Sequence, residues 1–141
     1  MKKIMIAVDG GPTSEKVAKM GFELGQKLEA EIALLSIADT TYLITDGAVT
    51  PDELAEIVKR DLTKSQQLII DSVFKNYTVQ PFIEKGIPYE AILKVADEWQ
   101  ADLIVLGTHG RTGLAHLLMG SVAEKVMRHS ARPLFVVPNN K

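Results

Sequence analysis

The feature that most narrows the fold is a series of short apolar runs separated by helix-length stretches. Lys3 to Val8, Glu31 to Ile37, Thr78 to Glu84, Asp102 to Leu106 and Leu134 to Val137 have strand length and are rich in aliphatic and β-branched residues. Most lack polar alternation, the pattern of strands buried on both faces. Between them lie helical signals. Thr13 or Ser14 caps a helix reaching about Leu28, with Val17, Met20, Phe22, Leu24 and Leu28 as its apolar positions. Thr50 precedes Pro51, Asp52 and Glu53, which places an N-cap, a proline at the first helical position and acids in the first turn of a helix ending near Lys75. Pro88 opens a helix with Ile92, Leu93, Ala96 and Trp99 on one face, and a last helix runs from Val122 to near Ser130, with Arg128 and His129 in its last turn. Strand–helix alternation of this kind predicts one α/β domain over residues 1–141, a parallel sheet covered by helices on both faces through right-handed crossovers.

The segment after the fourth run, Gly107 to Ser121, carries the strongest functional signal. Its spacing is G-x2-G-x9-G-[ST], through Gly107, Gly110, Gly120 and Ser121. Gly107 and Gly110 let the backbone turn tightly and approach a ligand. Ser121 reads as an N-cap, with Glu124 completing a capping box, so Gly120, Ser121 and Val122 present N–H groups and a helix dipole where an anion can sit. Thr108, His109 and Arg111 lie in the same segment, and the Arg111 guanidinium is suited to paired bonds with phosphate oxygens. Doubly wound sheets bind ligands at the carboxyl ends of their strands, where strand order reverses. If the order reverses between the first and fourth runs, Asp9, at the end of the first, is the second candidate there. Its carboxylate can accept from a ribose hydroxyl or an adenine amino group, or it can cap the Gly10-Gly11-Pro12 turn; Ala7 and Val8 line the same place.

The long glycine spacing, together with Ala7-Val8-Asp9-Gly10, Gly86-Ile87-Pro88 and Arg132-Pro133, resembles the universal stress protein family in its ATP-binding branch, over the whole chain. The resemblance implies a Rossmann-like, adenine nucleotide alpha hydrolase-like sheet in the order 3-2-1-4-5. It further implies ATP as the ligand, Ile37 contacting adenine through its backbone, a nucleotide-dependent regulatory role in stress response, and a homodimer. In that order Leu134, Phe135, Val136 and Val137 form an edge strand apolar at every position, an invitation to antiparallel pairing between two copies. One departure stands out: Gly11 occupies the place of the family's first serine after Asp-Gly, while Ser14 keeps the second.

Composition limits the alternatives. The formal net charge of −2 gives no general attraction to nucleic acid or anionic membrane. The absence of cysteine removes disulfides, thiolate metal sites and cysteine nucleophiles. No pair among His109, His116 and His129 has metal-ligand spacing; magnesium would arrive with ATP, held by phosphates and water. The apolar start is short and interrupted by Asp9, which leads to the expectation of a cytoplasmic protein without membrane insertion. A Walker lysine and a water-activating base are missing, so hydrolysis should be slow or absent. Three other readings remain open. Asp9 to Ser14 partly matches the loop of ATP pyrophosphatases, which adenylate substrates. A ligand-free interaction module would not need the glycine spacing. A flavodoxin-like carrier would need more Ser and Thr after the first run. Tyr42, Leu43 and Ile44 in the 39–50 segment are a candidate lid or contact surface.

Overall fold

The computed structural model describes residues 2–40, 47, 49–108 and 120–138. Nine elements follow in order among them: β1 (Lys3–Val8), α1 (Ser14–Leu28), β2 (Glu31–Asp39), α2 (Pro51–Val73), β3 (Val79–Gly86), α3 (Pro88–Trp99), β4 (Leu103–Gly107), α4 (Ser121–His129) and β5 (Leu134–Val137). All strand pairs are parallel and the sheet order is β3-β2-β1-β4-β5. Tyr42, Leu43 and Ile44 lie outside the described residues.

The apolar runs are apolar because both faces of the sheet are covered. One core gathers Ile4, Ile6, Ile32, Leu34 and Val105 with Val17 of α1 and Ile69 and Val73 of α2. The opposite core gathers Met5, Ala33, Leu35, Ile104 and Leu106 with Ile92 and Val95 of α3 and Val126 of α4. Successive strand residues alternate between the two, as the period of two requires.

The α1 face differs from expectation. Its buried positions are Ser14, Val17, Ala18, Gly21 and Gly25, while Met20 and Leu28 are exposed. The two glycines bring the helix axis close to the sheet. A Cβ at Gly21 would stand 2.5 Å from Ile6 Cδ1, and one at Gly25 would stand 2.6 Å from Ile32 Cδ1. The start of α2 matches the sequence signal: the Thr50 side chain accepts from Glu53 N at 3.0 Å, and Pro51 follows. Buried Gln66 fixes α2 to the sheet by donating through Nε2 to Leu34 O, Ser36 Oγ and Phe82 O. No helix among the described residues is long and apolar enough to cross a membrane.

Candidate functional site

The parallel pairing opens at one place. β1 and β4 pair through Ile4↔Leu103, Met5↔Ile104 and Ile6↔Val105, short of the ends of both strands. Each strand keeps its outer partner further: β1 pairs β2 to Val8↔Ser36, and β4 pairs β5 to Gly107↔Val137. Connections leave β1 and β4 toward opposite faces, so a crevice forms at the carboxyl ends of these two strands. Asp9 stands on one side of it and Gly107 on the other.

On the first side, the Ala7 and Val8 side chains are buried in the two opposite cores, which leaves their backbone for the crevice floor. The turn that follows is tightly bonded. Gly10 has φ +81°, a value L side chains rarely adopt, and a Cβ there would lie 3.0 Å from Leu62 Cδ2. Asp9 Oδ1 accepts from Gly11 N at 2.8 Å and from Ser14 Oγ at 3.1 Å, while Ser14 Oγ accepts from Gly10 N at 3.0 Å. Asp9 therefore does cap the turn, with one oxygen. The other, Oδ2, is buried and is the one such side-chain atom without a hydrogen-bond partner among the described residues. Ser14 is not an N-cap: it is the first residue of α1, and Thr13 takes the cap position without a side-chain bond. The serine hydroxyl reaches back to the turn instead.

Ile37 lies on the part of β2 that overhangs β1. It is paired with Glu84 of β3 and half-buried against the α3–α4 core, with no β1 residue across from it. On the far side, Gly107 is the last residue of β4, and its φ is not positive, so glycine is not required there for conformation. Thr108 N donates to Val137 O at 3.0 Å and Thr108 O accepts from Gly120 N, so the two ends of the glycine segment meet. His109, Gly110 and Arg111 lie outside the described residues.

This closure corrects the expected start of α4. The N-cap is Gly120, at φ −72° and ψ 162°, and it makes no side-chain bond. Ser121 is already helical, so the capping box does not form, and the Glu124 carboxylate pairs with Arg128 one turn on. The Gly120 N–H is committed to Thr108 O, and the N–H groups that follow it in the first turn, which have no partner within the helix itself, are those of Ser121 and Val122. An uncapped helix start facing a crevice retains its affinity for an anion. Among the described residues no group of three or more His, Cys, Asp and Glu is arranged to hold a metal ion. A separate cleft of about 400 Å³ lies at the carboxyl end of β3, lined by Lys59, Lys85, Lys94, Glu84 and Glu90 among others; its mixed charges sit away from the β1–β4 opening.

The domain belongs to the doubly wound class of parallel α/β sheets, with its strand order reversing beside an acid-bearing turn and the start of a helix. The universal stress protein family profile matches residues 1–138, and the chain belongs to that family. It is 30% identical to universal stress protein MJ0531 of Methanocaldococcus jannaschii over 142 residues, covering 99% of this chain and 84% of the relative. The solved structure of MJ0577, a universal stress protein of the same organism, superposes with a TM-score of 0.86 at 30% identity, covering 99% of this chain and 97% of that one. A universal stress protein structure from Archaeoglobus fulgidus in complex with dAMP shares the fold, with a TM-score of 0.65 at 19% identity over 97% of this chain and 98% of that one. Another, in complex with cAMP, has a TM-score of 0.64 at 20% identity over 96% of each chain.

Proposed function

We propose that this protein binds ATP, or a close adenine nucleotide, in the β1–β4 crevice and acts as a nucleotide-dependent regulator in stress response. One observation carries the reading: the glycine spacing ends on an uncapped helix start that faces Asp9 across the one place where the central sheet pairing opens. In this arrangement Ser121 and Val122 N–H groups, with Arg111 and the Gly110 backbone, take the phosphates, and Asp9 with the backbone near Ile37 takes the nucleoside end. Solved universal stress proteins holding dAMP and cAMP support an adenine nucleotide as the ligand class. Magnesium enters with the phosphates rather than through a protein-built site.

The test is calorimetry on nucleotide-free protein. ATP should bind wild type and should not bind Gly120→Val. The backbone angles at Gly120 suit any residue, so valine there blocks phosphate approach without conformational strain. Absence of ATP binding to wild type would refute the reading. Hydrolysis should stay below about one turnover per second, under the ordinary enzyme range, because the sequence offers neither a Walker lysine nor a convincing water-activating base. Faster turnover that Gly120→Val abolishes would favour an enzyme.

We further propose that two copies pair along β5. Leu134, Phe135 and Val136 are half-buried, and their side chains reach both cores, yet among the described residues the strand pairs on one side only, with β4. The opposite edge, β3, carries Pro81 and Lys85, which discourage pairing. A two-fold axis beside β5 would continue the sheet with no additional partner.

A further inference from the structure

We propose that Ser14 is a positioning residue for ligand recognition: it holds Asp9 so that Oδ2 is reserved for one hydrogen-bond donor of the bound nucleotide. The inference rests on the nucleotide reading above. A serine hydroxyl has a single proton. Here its oxygen accepts Gly10 N–H, so its own proton goes to Asp9 Oδ1, which also accepts Gly11 N–H. These bonds fix both the position and the rotation of the carboxylate. They also occupy Oδ1, so Oδ2 alone remains, enclosed and without a partner at the carboxyl end of β1.

A buried polar atom without a partner is costly and uncommon in folded proteins, and functional sites are where such atoms persist. A carboxylate oxygen accepts hydrogen bonds and does not give them. The ligand atom opposite Oδ2 is therefore an N–H or O–H group and not a phosphate oxygen. On a nucleotide the candidates are the 6-amino group of adenine and the two ribose hydroxyls. A site built around a buried acceptor discriminates strongly against a ligand lacking the donor, because the acceptor is left unpaired in the complex. Ser14 contributes to that discrimination without touching the ligand. It is 4% exposed and sits in the first turn of α1, where its backbone is fixed by the helix.

The experiment compares ATP with three analogues, each lacking one donor: 2′-deoxyATP, 3′-deoxyATP and purine riboside triphosphate. Wild type should bind one of the three roughly tenfold or more weakly than ATP, the loss that goes with a hydrogen bond to a charged group. Ser14→Ala should weaken ATP and leave that analogue unchanged, so the ratio of the two affinities falls toward one. A general loosening of the turn would weaken both alike and preserve the ratio. Should Ser14→Ala fail to fold, Asp9→Asn reads the same ratio on a chain that keeps Ser14, and the ratio should again collapse. Equal binding of ATP and all three analogues to wild type overturns the assignment while leaving the nucleotide reading intact. So does a variant that keeps the wild-type ratio. No binding of ATP or any analogue overturns the nucleotide reading and the assignment together.

Discussion

The two oxygens of Asp9 differ in what they touch. Its Oδ1 holds the turn after β1, and its Oδ2 is withheld from the protein. Asp9→Ala should therefore lower ATP affinity roughly tenfold or more, and it should also loosen the turn; calorimetry reads the first effect and the urea midpoint of ligand-free protein the second. Unchanged ATP affinity would leave Asp9 a turn cap only. Asp102 is the other acid whose geometry predicts a measurement. Its Oδ2 accepts from Lys2 N and Lys3 N, each at 2.9 Å, which tethers the approach to β1 against the start of β4. Those two backbone bonds hold its pKa below the usual carboxylate value, against the opposing effect of desolvation, with the positive charges of the N-terminus and Lys3 assisting less. A lowered folded-state pKa stabilises the fold above the unfolded-state value, about 3.9, and that contribution disappears as pH falls through the folded-state value. The stability gap between wild type and Asp102→Ala should accordingly be full near neutrality and shrink below about pH 4. A gap independent of pH in urea titrations would contradict this.

At the scale of elements, α1 depends on absent side chains as much as on present ones. Gly21→Ala gains about 1 kcal/mol in helix propensity but introduces a methyl group 2.5 Å from Ile6 Cδ1, in a core where Ile6 is fully buried. Overpacking of this kind costs about 1–3 kcal/mol. The expected net result is a lower urea midpoint; an unchanged or higher one would mean that Ile6 repacks freely. The sequence does not reveal these contacts, since helical glycine reads there only as a weak former. Elements whose signals are local were legible: the Thr50–Pro51 start of α2 and the apolar strands follow from neighbouring residues. The entry to α4 was not, because it is decided by Gly120 donating to Thr108, twelve positions away along the chain. Of the two cap candidates Thr13 takes the position, and the use made of Ser14 was hidden for a similar reason. A serine before an apolar helical pattern signals a cap, and only the folded turn shows its hydroxyl directed back toward Asp9 and Gly10. Gly107 and Gly120 of the long glycine spacing stand at the end of β4 and at the N-cap of α4, and the strand order came from resemblance, because periodicity carries no information about which strands are neighbours.

For the whole molecule, the two sheet edges differ in kind. Val136→Lys places an ammonium in the middle of β5 and should weaken a dimer built there by roughly tenfold or more, through the cost of burying an unpaired charge. Sedimentation across micromolar concentrations checks it, and a wild-type monomer in that range would rule the β5 dimer out. The last consequence comes from Thr108. Its N–H is held by the end of β5 and its carbonyl by Gly120, so sheet and α4 are joined at the neck of the glycine segment. Closing a loop grows costlier only slowly with length, about 0.6 kcal/mol for each doubling. Because Thr108 and Gly120 are tied to each other directly, changing the number of residues between them should shift the urea midpoint of the domain little, and a large loss would contradict that.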